Sequence, residues 1–171
     1  DQKIRSASDV FIIPGAKVAG VLPDVHEDPS GLESPELAVL HSNEGVFAES
    51  CRQAWAGVNR SLQQSAHQTL LVLAAAPEAG STTIIGNFAA SGHTSGSSVV
   101  VVDCNFRRPN LGYMFGLDDS SPGVADLLAG STELSSVIQK TDSGVDVITS
   151  GNHIWDKKDT TDFIENENTI E

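Results

Sequence analysis

Two apolar runs constrain what this 171-residue chain can fold into: residues 69–75 (TLLVLAA) and 98–104 (SVVVVDC). Each is too short for a buried helix and almost free of polar side chains. That is the pattern of a strand covered on both faces, and such strands belong to parallel sheets flanked by helices. The stretch between them has room for one helix, so the unit reads as a right-handed strand-helix-strand crossover. A third strand is expected at 145–151 (VDVITSG). Before it, SPGVADLLAG (121–130) reads as a helix, with Ser121 as cap, Pro122 in the first turn and Gly130 as the stop. The expected fold is α/β, three-layered, with a mostly parallel sheet.

Upstream, Phe47, Cys51, Trp55, Val58 and Leu62 recur at three- and four-residue spacing and predict a helix with one face on the sheet. Residues 1–46 are rich in Pro, Gly, Ser and acidic side chains. They are expected to form an extended N-terminal arm, in which VFIIPG and KVAGVLPD each make an edge strand or clasp. The domain plan is therefore the arm at 1–46, a main domain at 47–150 and a C-terminal segment at 151–171.

Composition narrows the function. A hydrophobic content of 39% suits one domain with a real core, and the net charge of -13 repels polyphosphate backbones and anionic headgroups. No nucleic-acid partner is expected, and no polybasic membrane anchor. Cys51 and Cys104 are too few for a disulfide framework or a metal knuckle, which points to a reducing, cytoplasmic compartment. No apolar run has membrane-spanning length and no signal peptide opens the chain. The first residue is Asp1 rather than Met, so a fragment or processed form is expected, with any transmembrane segment outside it.

The helix after the first run begins in PEAGSTT (77–83). A phosphate-binding loop needs a glycine-rich turn after a strand, a lysine for the β- and γ-phosphates and a hydroxyl for magnesium. Gly80, Thr82 and Thr83 fit these places. Ala75 stands where the first glycine would be, Glu78 adds a negative charge, and Ser81 stands where the lysine would be. The plainer reading of the same residues is a helix start at which Ser81 or Thr82 caps free N–H groups.

The stretch VVVVDCNFRRPNLGYMFG (99–116) resembles the second signature of bacterial tyrosine kinases of the polysaccharide-export type, P-loop relatives of the MinD and ParA ATPases. The match runs through Asp103, Asn105, Phe106, Arg107, Pro109, Leu111, Phe115 and Gly116. KVAGVLPD, FAESCRQAW and SPGVADLLAG resemble its flanking segments, so the likeness spans about 17–150. It implies that Gly80, Ser81, Thr82, Thr83, Asp103 and Asn105 line a nucleotide site. Thr82 would sit on magnesium, and Asp103 would be the catalytic or magnesium-side carboxylate. Glu49 and Arg52 would belong to an oligomerisation helix whose second arginine is replaced by Trp55. Ser81 removes the lysine charge and Asn105 cannot act as a base, so kinase activity and a bound cofactor are not expected. Magnesium–ATP is the ligand only if the loop works.

Residues 143–170 (SGVDVITSGNHIWDKKDTTDFIENENTI) instead resemble a segment of bacterial calcineurin-like phosphodiesterases that act on cyclic nucleotides. There Asn152 would be a metal ligand and His153 the acid at the leaving oxygen, but two residues are too few ligands for a metal pair. Two partial families in one chain imply a recombined or engineered chimera, the strand at 145–151 serving both. The readings are therefore a degenerate, inactive kinase-like domain or a chimera without evolved activity; a weak ATPase or autokinase; and a metal-dependent phosphodiesterase fragment. A homo-oligomer is expected, because a truncated sheet leaves an edge and apolar surface to cover. The resemblance adds a membrane-bound polysaccharide-export partner, with the natural parent peripheral to the inner membrane. Ile154, Trp155, Phe163 and Ile164 give the tail apolar positions that can pack beside 98–104.

Overall fold

The structure is a computed structural model that describes residues 6–42, 44–118 and 120–151. It divides into two compact units, Asp1–Val99 with Ser143–Val145, and Val100–Asp142 with Asp146–Glu171.

The first unit is helical. It contains α1 (Ala7–Val10), a 3-10 turn (Val25–Glu27), α2 (Ala38–His41), α3 (Val46–Gln64) and α4 (Ser81–Thr94). The predicted face of α3 is the one used: Phe47 and Cys51 are buried, and Trp55, Val58 and Leu62 half-buried. Ala38, Val39, Phe47, Ala48, Cys51 and Ala90 form the core where α2, α3 and α4 meet, with Leu22, Val25, Leu32 and Leu40 packed against it. Small side chains at 48, 51 and 90 let the helices approach closely. Trp55 lies on Phe88 in a tilted ring pair with centroids 5.8 Å apart. Burial pushes the Cys51 thiol up to about 11, so it is a packing residue with little thiolate.

Two strand expectations fail in this unit. Residues 69–75 form no ladder, and their side chains alternate, with Leu71 and Leu73 at 75% and 79% exposure. A continuous apolar run becomes a strand only where another strand offers it hydrogen bonds, and none of the three strands of the sheet does so. VFIIPG runs from the end of α1 into a turn with Phe11 and Ile12 exposed, and KVAGVLPD is irregular, so neither is an edge strand.

Buried polar groups join the pieces. Asn87 is fully buried on α4; its Oδ1 accepts the Val39 N–H at 3.0 Å, and its Nδ2 donates to the Pro35 and Thr83 carbonyls at 2.8 and 2.9 Å. These bonds bracket Leu37, a buried non-glycine residue held at φ 49°, a conformation that persists only where its surroundings enforce it. Asp28 caps α3 from a distance, accepting the Phe47 N–H at 2.7 Å and the Ser30 N–H at 2.9 Å.

The second unit holds a three-stranded sheet in the order β1-β3-β2, from β1 (Val100–Val102), β2 (Gln139–Lys140) and β3 (Asp146–Ile148). β1 and β3 are parallel with Val101 opposite Val147, as the valine-rich runs led us to expect, and β2 adds an antiparallel edge that the sequence did not reveal. The sheet is therefore mixed. The expectation that 98–104 is covered on both faces is corrected: Val101 is 3% exposed, but Val100 and Val102 are 53% and 45% exposed.

Around the sheet lie α5 (Leu111–Met114), α6 (Val124–Leu128) and α7 (Leu134–Val137). α6 starts later than expected. Gly123 is its cap position, with its N–H on Asp126 Oδ2 at 2.8 Å, and Ser121 does not cap it. Gly123 is needed for space, since a Cβ there would run into the Thr149 carbonyl oxygen. That closeness lets the Val124 and Ala125 N–H groups bond the Thr149 and Ser150 carbonyls, both at 2.9 Å, and so hangs α6 on the end of β3. Gly130, at φ 68°, ends the helical turn as predicted. No helix among the described residues is long and apolar enough to cross a membrane.

Two stability predictions follow from the polar joints. Asn87→Ala strands the Val39 N–H and should cost on the order of 3 kcal/mol in denaturant unfolding, far more than an exposed Asn→Ala change. The Phe47 N–H, and then Ser30, hold the Asp28 carboxyl down at about 2. This lies below the roughly 3.9 of an unfolded aspartate, so its stabilisation is complete above about pH 4 and is lost as pH falls through that folded value. In Asp28→Asn, acid unfolding monitored by circular dichroism should lose this part of its pH dependence.

Candidate functional site

Residues 75–83 of the first unit form an exposed turn that enters α4. The Ala79 N–H donates to the Ala76 carbonyl at 3.3 Å, Glu78 takes φ 61° and Gly80 takes φ 79°. A Cβ at Gly80 would meet nothing within 4 Å, so glycine is required there by the left-handed backbone and not by lack of space. Glu78 has no such excuse; its left-handed conformation stores strain of about 1 kcal/mol.

Gly80 is the cap residue of α4, and no side chain caps the helix. The capping role expected of Ser81 or Thr82 is therefore absent, because the chain enters the helix through a left-handed glycine. In this position the first N–H groups, at Ser81, Thr82 and Thr83, lie beyond the turn at the positive end of a 14-residue helix. Free N–H groups at a helix start are the kind of group that can receive an anion, while among the side chains here Ser81 brings no positive charge and Glu78 is acidic.

Asp103 and Asn105 belong to the second unit. Asp103 follows β1 and is 3% exposed, and its own N–H continues the ladder to the Ile148 carbonyl at 2.9 Å. Its carboxylate faces inward on its own loop: Oδ1 accepts the Asn105 N–H at 2.9 Å, and Oδ2 accepts the Asn110 and Leu111 N–H groups, both at 3.1 Å. The last two bonds cap α5 from seven and eight residues away. Asn105 closes the same loop, its Nδ2 on the Arg108 carbonyl at 2.9 Å and its Oδ1 under the Arg108 N–H at 3.2 Å. Both residues are thus occupied in shaping residues 103–111.

Glu49 and Arg52 lie on α3 and pair within the helix at 3.0 Å, while Gln53 Nε2 also donates to Glu49 at 3.0 Å. Gln53 first, and then Arg52, lower the Glu49 carboxyl below its ordinary range. Trp55, where an arginine would continue the series, turns to Phe88 and the core instead; its indole Nε1 is buried without an acceptor.

Asn152, His153 and the apolar tail positions lie outside the described residues. Among the described residues no three His, Cys, Asp or Glu side chains gather closely enough to hold a metal ion. Sequence reasoning missed Asn87 and Asp28, the polar residues with the most buried work. The one available signal for Asn87 was an amide inside the otherwise apolar run IIGNFAA; Asp28, in a loop, gave none.

A family model described as "YmdB-like protein" matches residues 130–170. The tyrosine-protein kinase ptk of Acinetobacter johnsonii is 32% identical over 118 residues, which are 68% of this chain and 16% of that protein. The succinoglycan biosynthesis transport protein ExoP of Rhizobium meliloti is 30% identical over 98 residues, 54% of this chain and 12% of that protein. The chain thus spans about a sixth or less of the length of these relatives. Among solved structures, the kinase domain of the Escherichia coli tyrosine kinase ETK superposes with a TM-score of 0.76 at 20% identity, over 96% of this chain and 65% of that domain. The sequence matches give the kinship and the superposition gives the fold: over the residues they cover, the chain belongs to the bacterial tyrosine-protein kinase family.

Proposed function

We propose that this chain is a degenerate kinase-like P-loop domain of the exopolysaccharide-assembly type that has lost phosphoryl transfer. The observation that carries this reading is the state of Asp103. Three backbone N–H groups occupy three of the four lone-pair positions of its carboxylate, so its charge is spent on its own loop instead of on a metal ion. Ser81 in place of a lysine and Asn105 in place of a second carboxylate point the same way, because phosphoryl transfer depends on positive charge at the phosphates and on a carboxylate-held metal. No cofactor is part of this reading. In the natural parent the domain works in the cytoplasm, peripheral to the inner membrane, as a homo-oligomer through the α3 surface that carries Glu49 and Arg52, beside a membrane-bound export partner.

The YmdB-like match at 130–170 favours a second reading, a composite chain with no evolved activity. β3 lies inside this segment and still pairs in parallel with β1, so a borrowed strand can complete the sheet. Phosphodiesterase chemistry through Asn152 and His153 has less support, since neither residue brings the charge that a catalytic metal needs.

Calorimetric titration with a magnesium–ATP analogue separates these readings. Binding should be no tighter than about the millimolar range. A micromolar dissociation constant, lost in Gly80→Val, would mean that the loop works and that the inactive reading is wrong. Ser81→Lys with Asn105→Asp should tighten binding if the loop is merely degenerate, and should do nothing if the chain is a composite without a site. Asp103→Asn should lower the unfolding midpoint without any nucleotide present, by roughly the 1.5–3 kcal/mol of a lost charge-assisted hydrogen bond. A variant that kept full stability and lost only magnesium-dependent binding would return Asp103 to a catalytic role.

A further inference from the structure

Two apolar segments of this chain have ladder groups to spare. In the first unit, residues 69–75 make no backbone hydrogen bond among the described residues. Their side chains nevertheless alternate as those of a strand do, with Leu70 and Val72 half-buried and Leu71 and Leu73 exposed. In the second unit, β1 is an edge of the sheet β1-β3-β2. The Asp103 N–H is turned to β3, where it meets the Ile148 carbonyl, so by the alternation of a parallel ladder the N–H and C=O groups of Val100 and Val102 point to the open side. Val101 is buried, whereas Val100 and Val102 are about half exposed.

The two segments match as strand and edge. Residues 69–75 need ladder groups, and the open side of β1 offers them. Neither 69–75 nor 95–102 holds a charged residue or a proline, the devices that keep a sheet edge from accepting another strand. In the register that sets Leu71 and Leu73 beside Val100 and Val102, pairing covers four exposed apolar side chains at once. Within one copy, among the described residues, none of the strands pairs with 69–75. A second copy of this chain is therefore the fitting occupant, since each copy carries both halves and supplies what the other lacks. Reciprocal exchange about a twofold axis fills the open side of both β1 strands and closes the assembly. The net charge of -13 opposes approach, but neither segment carries any of it, and at physiological ionic strength it is screened beyond about 8 Å.

We propose that residues 69–75 of one copy add as a strand to the open side of β1 in a second copy, and that the exchange is reciprocal. This contact is additional to the α3 surface of the homo-oligomer and independent of the nucleotide loop.

Glu49→Ala with Arg52→Ala removes the charged contact surface of α3, and sedimentation velocity on that background reads the strand exchange alone. It should still give a dimer. Adding Leu71→Lys with Leu73→Lys, or Val100→Lys with Val102→Lys, should weaken the dimer by about a hundredfold, since each lost burial is worth roughly tenfold. Mixing the two resulting variants should restore association, because the intact 69–75 of one meets the intact β1 of the other. If the Val100, Val102 variant does not fold, a copy with Val102→Cys and a copy with Leu71→Cys or Leu73→Cys, both with Cys104→Ser, should form a mixed disulfide, as paired strands bring such positions within bridging distance. A monomer on the Glu49, Arg52 background overturns the proposal and leaves the α3 contact standing, whereas a monomeric intact protein overturns both. A Leu71, Leu73 variant that still dimerises assigns β1 to pairing with itself and sinks the exchange. So does a mixture that stays monomeric, or a set of disulfides that join only like with like.

Discussion

The constraint on which this structure rests is that a helix end buried in a small domain must find acceptors for its first N–H groups. In α2, α3 and α5 no side chain in the cap position meets it. Instead, carboxylates and one amide reach in from distant points of the chain: Asp28 to α3, Asp103 to α5, and Asn87 to the start of α2. Each such bond fixes a helix and also fixes the loop that carries the acceptor. Loops of low local preference, such as 28–36 and 103–110, thereby acquire one conformation, and within the first unit the apolar contacts among α2, α3 and α4 form beside the former.

The same economy gives residues of the kinase pattern structural tasks of their own. Asp103 is kept at the end of β1 because three N–H groups depend on it, whatever becomes of a nucleotide. The loop before α4 keeps its left-handed glycine because the chain must turn into the helix there. Trp55 is a further case: its ring fills space against Phe88, a task that an arginine fork cannot perform.

The relationship to much longer kinases bears on the exposed apolar side chains. The chain matches 16% of the ptk protein and 65% of the ETK kinase domain, and Leu71, Leu73, Val100 and Val102 are left in contact with water. Burying such side chains is worth about 1.5–3 kcal/mol each. Exposed side chains of this kind are thus a source of binding energy for whatever covers them.

Sequence alone determined the parts whose signal is local and periodic. The α3 face was readable from Phe47, Cys51, Trp55, Val58 and Leu62, and the parallel pair β1 and β3 from two valine-rich runs, because apolar period and β-branching report directly on burial. The kinase kinship was legible in the ordered motifs. Tertiary structure alone decided the rest. Whether 69–75 is a strand depends on a neighbour with free ladder groups, and whether 98–104 is covered on both faces depends on what packs there; neither is a property of the run itself. The short β2 has no period to detect. The roles of Asp28, Asn87 and Asp103 depend on N–H groups 8 to 48 residues away, and a hydrogen bond across that separation exists only after the chain has folded.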